Sequence, residues 1–449
     1  MEITSDFYHD LRGAIRRLEK GEHIAGGELA ALVSSIAGYE MEEGGPYASS
    51  GGVADVGFNL FIAYFLALCG ASLPRLDAFL DAGLCGSCSA FATADEMREV
   101  ALRWQSLRRK KEGDVKRYSP EEERMMDMIM DAAEKRFEKI PSELGKLSRE
   151  GILKTIRGNR DKQMPLMPYY MRQALGAKAV SIDDKSVAEM GLANIFFWTA
   201  FISYDDFWDE DEAADPRMLP SANLFARSYV KFFDSILPPA SGFRSFFHEL
   251  MDGLDGANTW ETVCCRAEVR GSKFIIPERL PEYGDYENKF LPSAGHILGP
   301  VAMLVKLGYA IDSDEVGNLV SYFRNYLIAM QINDDAHDWE EDMRRGHLST
   351  VVVMLLRDLG RKNGEIDLDA DSVELKKIFW FKTIAGAAET AILHAERSRR
   401  ALRSLTMLED PAPLERFIDI TENVARKTLA QQEDSMDFLT AYKQRSGIG

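Results

Sequence analysis

Two short stretches hold the residues best suited to chemistry. "DDFWDEDE" (205–212) places six acids in eight residues, two residues after the apolar run "IFFWTAFI" (195–202). "INDDAHDWEED" (332–342) also follows an apolar segment and carries Asp334, Asp335, Asp338 and Asp342. Carboxylates this close repel one another, and burial raises their pKa values. Divalent cations remove the conflict. Mg2+ takes carboxylate oxygen, keeps water and shares its shell with substrate phosphates. On a helix, Asp205 and Asp209 lie one turn apart with Asp206 beside them, and Asp334, Asp338 and Asp342 form one row at i, i+4 and i+8. Asp334, Asp335 and Asp338 repeat the DDxxD spacing of the first stretch. Two acidic rows, each ending an apolar helix, can face each other across a bundle, which is how helix bundles build metal sites.

The elements that must position these acids read as helices. Apolar residues at three- and four-residue spacing predict helices over 185–203, 314–332, 373–405 and 412–442, with no convincing block of alternating strands. Ser119, Pro120 and Glu122 form a helix-start pattern with a capping box, and Asp312 with Glu315 is expected to cap the helix before the second acidic stretch. A basic, weakly apolar stretch, "RWQSLRRKKEGDVKRY" (103–118), breaks the chain. It separates a helical unit over residues 1–110 from a larger one over 111–449.

Lys plus Arg number 54 and Asp plus Glu 72, a net charge of −18. That balance excludes a general nucleic-acid binder, whose footprint is basic. Five cysteines, an odd number in a long chain, do not make a disulfide framework. "CGSC" (85–88) has the spacing of half a zinc knuckle, with no second half nearby. The runs at 58–69 and 195–202 are too short to span a bilayer, and the first residues lack a secretory pattern, so a cytoplasmic protein is expected.

"DDFWDED" and "QINDDAHDW" resemble the two aspartate-rich motifs of the class I isoprenoid synthases, in particular the trans-polyprenyl diphosphate synthases. The resemblance runs over roughly residues 120–360 and implies an all-α isoprenoid-synthase bundle. It implies metal ligands at Asp205, Asp206, Asp209, Asp334, Asp335 and Asp338, with Asp342 as a further one. Diphosphate-binding candidates follow by position. They are Arg217 in "PRMLPSAN", Arg160 and Lys162 in "NRDKQMPLMPYYMRQALG", and Lys289 in "KFLPSAGHILGPVAMLVKLG". "HDWEEDMRRGH" is similar to the Asp-x-x-x-Asp and Arg-Arg-Gly stretch of squalene and phytoene synthases, which adds Arg345. Phe197, Trp198, Phe201 and Gln331, beside the acids, are expected to line the substrate pocket. The basic segment keeps only part of the family's charge, and Trp198 stands where elongating enzymes often carry His. Residues 42–80 resemble one repeat of the α/α-barrel prenyltransferases and class II terpene cyclases without the acid motif of the latter, which implies a non-catalytic unit.

The resemblance implies an enzyme that ionises an allylic prenyl diphosphate with Mg2+ (three ions, or Mn2+ in their place). The prenyl cation then passes to a second isoprenoid such as isopentenyl diphosphate. Two alternatives stay open: a class I terpene synthase, a cyclase or lyase acting on one allylic diphosphate, and a non-catalytic partner subunit. A homodimer is the family expectation.

Overall fold

The computed structural model describes residues 5–19, 48–50, 53–54, 56–68, 118–158, 163–208, 214–361 and 364–446, with a few helical positions between 76 and 104. Arg160, Lys162, Asp209, the Cys85/Cys88 pair and most of the basic stretch at 103–118 lie outside the described residues. The chain divides into two compact units, Met1–Arg117 and Tyr118–Gly449.

In the first unit, α1 (Ser5–Glu19) packs on α2 (Val56–Leu68), and a short hairpin of β1 (Ala48–Ser50) and β2 (Val53–Ala54) lies between them in sequence. Leu11 and Ile15 of α1 meet Phe58, Ile62 and Phe65 of α2 in a small buried cluster. Arg12 lies over the Phe61 ring at 4.5 Å and pairs with Glu96 at 2.6 Å.

The second unit is all-α in its architecture. It begins with α3 (Pro120–Phe137), and the capping box forms as its residues require: Glu122 N donates to Ser119 Oγ at 3.2 Å, and Ser119 N donates to Glu122 Oε2 at 2.7 Å. Then come α4 (Ser142–Gly158), α5 (Gln163–Leu175), α6 (Asp184–Trp208), α7 (Leu219–Ser235) and α8 (Phe243–Cys264). A short α9 (Glu287–Phe290) leads to α10 (Gly295–Lys306), α11 (Asp314–Arg344) and α12 (Thr350–Leu359). After α13 (Ser372–Ile378) and one π turn (Phe379–Thr383), α14 (Ile384–Arg403) and α15 (Ala412–Ser446) close the bundle. Ser313 rather than Asp312 caps α11, accepting from Val316 N at 3.4 Å; Asp314 and Glu315 fall in the first turn, where the helix dipole favours them.

Strands are present where none was expected from the sequence. β3 (Val269–Arg270), β4 (Lys273–Ile276) and β5 (Gly364–Asp367) form a three-stranded antiparallel sheet. Each is too short to show alternation, and the left-handed turn at Gly271 that joins the first two is a single residue in the pattern.

α6 is apolar on nearly every side, which suits a helix buried all round. Its length and composition would allow it to cross a membrane, but 67% of its most apolar window is buried inside the bundle. It packs against α3, α5, α7 and α10. Its crossing with α5 is unusually close. Pro168 lies inside α5 and has no N–H, so the Met164 carbonyl loses its usual helical donor. Asn194 of α6 replaces that donor, with Nδ2 donating to Met164 O at 3.0 Å. Gly191 permits the approach: a Cβ there would lie 2.5 Å from Pro165 O. Removing the Asn194 amide leaves a buried carbonyl unpaired, so Asn194→Ala should cost about 1–3 kcal/mol. Urea unfolding should show a smaller loss for the same change in a Pro168→Ala background, where the helix supplies its own N–H.

Candidate functional site

Both acidic stretches reach one cavity of about 440 Å³. α6 contributes Phe197, Trp198, Phe201, Ile202, Asp205 and Trp208. α11 contributes Gln331, Asp334, Asp335, Asp338, Glu341 and Asp342, and Arg345 and His347 follow from the turn after it. Asn258 and Glu261 come from α8, Lys289 from α9, Ser293 from the turn after it, and His296 from α10. The lining residues thus hold seven carboxylates against Lys289, Arg345 and His347 as cationic side chains.

Local sequence explains the layout. On α6, Phe197 and Phe201 meet one turn apart as a tilted pair with centroids at 4.5 Å, and Asp205 follows one turn later on the same face. On α11, Asp334, Asp338 and Asp342 share a face over about 12 Å of helix. Both groups lie toward helix C-termini, where the dipole is negative and further negative charge is unfavourable. Asp334, further from the helix end, has a raised pKa first through burial and then through the neighbouring Asp338 and Asp335 charges.

Lys289 and Asp335 form the buried centre of the acidic wall. Lys289 Nζ lies 2.9 Å from Asp335 Oδ1, and the two side chains are only 7% and 8% exposed. Thr350 N donates to Asp335 Oδ2 at 3.0 Å, so Asp335 also sits on the N-terminus of α12. Burial alone favours neutral forms of both groups; the Asp335 and Glu261 charges nevertheless hold the Lys289 ammonium and raise its pKa. The backbone before Lys289 is itself unusual. Tyr286 adopts φ 63, a left-handed conformation costing roughly 1–2 kcal/mol in a non-glycine residue. Its ring stands edge-on to His394 at 5.4 Å, and Arg324 pins the preceding turn through Asp285 at 2.8 Å and Glu287 at 2.6 Å.

His347 bridges α8 and α11. Its Nε2 lies 2.8 Å from Glu261 Oε1 and its Nδ1 3.3 Å from Asp342 Oδ1. Burial opposes the imidazolium, but these two carboxylates lift the His347 pKa to about 9. Burial likewise opposes the Glu261 carboxylate, and His347 with Lys289 brings its pKa down to about 2.

Not every expected residue reaches the cavity. Asp206, 100° around α6 from Asp205, lines a separate cavity of about 490 Å³ with Lys154, Ser203 and Asp215. Arg217 is turned away as well: Asp215 caps the short 3-10 turn Pro216–Met218, accepts from Arg217 N at 3.0 Å and holds the guanidinium at 2.8 Å. Arg345 lines the cavity and pairs with Glu341 at 2.6 Å, while Arg344 pairs with Asp369 at 3.0 Å. Gln331 donates to Ser293 Oγ at 3.3 Å. Asn258, Glu261 and His296 join the lining without having been singled out in the sequence: α8 carries no motif, and in the segment 289–308, which includes α10, only Lys289 was named. Among the described residues, no three His, Cys, Asp or Glu side chains converge on a single point.

No protein-family model and no curated sequence matches the chain. A solved structure of a geranylgeranyl pyrophosphate synthetase from the archaeon Geoglobus acetivorans aligns with 67% of this chain and 98% of its own, at 16% identity and a TM-score of 0.47.

Two outcomes follow from the buried charges. Lys289→Met leaves Asp335 without its counter-ion and should destabilise the protein by about 3–5 kcal/mol in thermal unfolding, with Lys289→Met/Asp335→Leu recovering part of the loss. His347, raised from 6.5, contributes stability that is complete below pH 6.5 and is lost as pH rises through about 9. Glu261, depressed from 4.5, contributes stability that is complete above 4.5 and is lost as pH falls through about 2. In chelator-treated protein, the unfolding free energy from urea titrations should therefore fall between pH 6.5 and 9, with a slope of at most about 1.4 kcal/mol per pH unit from this residue. His347→Gln should flatten that fall; parallel curves would mean the imidazolium does not matter.

Proposed function

We propose that the second unit is a Mg2+-dependent isoprenoid synthase that ionises an allylic prenyl diphosphate and transfers the prenyl cation to a second isoprenoid. The observation that carries this reading is one cavity with a carboxylate-rich wall on α11, Asp205 of α6 in the same lining, and aromatic rings one turn before Asp205. A diphosphate cannot approach seven carboxylates by itself. It can do so together with hard cations. Asp205, Asp334, Asp338 and Asp342 supply oxygen donors of the kind Mg2+ or Mn2+ prefers. Each ion would draw carboxylates from the protein and fill the rest of its shell with water and phosphate oxygens, which is the habit of Mg2+. When bound, the ions would neutralise charge on the departing diphosphate.

The remaining roles belong to the chain itself. Lys289 and Arg345 supply N–H donors for phosphate oxygens, Lys289 as a point charge and Arg345 as a planar fork. Asp335, held through both oxygens, positions Lys289. Phe197, Trp198 and Phe201 line the other part of the cavity with ring faces that attract a cation and do not attack it. Their bulk keeps water from the allylic cation.

A second reading, a lyase acting on one allylic diphosphate, is favoured by the basic segment at 159–165, which keeps only part of the charge expected of a site for a second diphosphate. Incubation with C10, C15 and C20 allylic diphosphates, with and without isopentenyl diphosphate, separates the two. Extended diphosphates support the transferase; extractable hydrocarbon or alcohol supports the lyase. Asp205→Asn and Asp334→Asn should each lower Mg2+-dependent diphosphate release about 100-fold or more, in the range seen when a charge-stabilising group is lost. Full activity in both variants would reject the proposal.

A further inference from the structure

His296 stands apart from every group used so far. It lies on α10, within the cavity lining, one residue after Gly295. Gly295 faces the Phe197 ring closely enough that a Cβ would overlap three ring carbons. His296 is thereby anchored beside the aromatic wall. Its Nδ1 lies 2.8 Å from the Ser293 carbonyl oxygen. A carbonyl oxygen only accepts, so Nδ1 carries the hydrogen and the neutral ring presents an unprotonated Nε2. No partner for that nitrogen is present among the described residues. Burial lowers the pKa to about 4, which keeps the ring neutral at physiological pH.

We infer that His296 Nε2 is the base that removes a proton from the carbocation at the end of the reaction. This rests on the ionisation proposed above and holds for either a transferase or a lyase. A C–H bond next to the cationic carbon breaks, and its electron pair becomes the new C=C bond. The proton goes to Nε2, so the positive charge passes from carbon to imidazolium. The proton then leaves to a diphosphate oxygen or to solvent as product departs. A weak base suffices, because a C–H bond beside a cationic carbon is strongly acidic. Neither cationic Lys289 nor Glu261, paired with His347, competes for this role. The Asp334, Asp335 and Asp338 carboxylates lie on α11, whereas His296 belongs to the wall that Phe197 touches through Gly295.

The test compares wild type, His296→Gln and His296→Phe with C10, C15 and C20 allylic diphosphates and Mg2+, with and without isopentenyl diphosphate. Glutamine keeps a donor for Ser293 O and lacks the base; phenylalanine fills the volume without either, and the one that folds by circular dichroism is read. The readout is the product ratio per diphosphate released, which does not depend on the overall rate. Deprotonated product, whether olefin or extended diphosphate, should fall about 10-fold or more relative to prenyl alcohol formed by water capture, at the low end of what a positioned proton acceptor contributes. An unchanged ratio in a folded variant overturns the assignment to His296 and leaves ionisation standing. Absence of diphosphate release by wild type with every substrate overturns the ionisation reading, and this inference with it.

Discussion

The contact between Lys289 and Asp335 is the constraint on which the acidic wall depends. Two opposite charges, both nearly sealed from solvent, persist only when each is satisfied by the other and by further donors or acceptors. Asp335 meets that condition through the Thr350 amide, and Lys289 through the fields of Glu261 and Asp342. The pair joins α9, α11 and α12 at one point.

Around this pair the cavity holds more acid than the chain neutralises. His347 between Glu261 and Asp342 and Arg345 beside Glu341 relieve part of the repulsion. Asp334 retains an elevated pKa, first through its burial and then through the Asp338 and Asp335 charges beside it. An enzyme that must hold an anionic leaving group gains from such a wall only when cations arrive with the substrate. On the proposed function, a preference for metal-escorted over bare anions would have this electrostatic cause.

Much of this was legible in the sequence. Helical periodicity located α6, α11, α14 and α15 and their order, and the Ser119–Glu122 capping box is formed by the residues expected to form it. The i, i+4, i+8 row on α11 lines the cavity because a long helix keeps its register. What was not legible depends on contacts between distant segments. Asp206 and Asp205 are neighbours in the chain yet serve two cavities, since the packing of α6 on both sides decides which face each presents. Arg217 is captured by an acid two residues away, a local hydrogen bond that no spacing rule distinguishes from a ligand contact. Asn258, Glu261 and His296 come from helices whose sequences carry no metal-like pattern; only the fold brings them to the cavity.

The ends of α8 and α11 are tied by main chain. Ala267 N donates to Gly346 O at 2.7 Å, Leu348 N donates to Cys265 O at 2.9 Å, and Arg266 bridges to His347. These amides do not titrate and do not depend on which side chains flank them. The spacing of this rim is therefore insulated from its charge: selection can add or subtract ionisable groups at positions 261, 342 and 347 without redrawing the opening they surround.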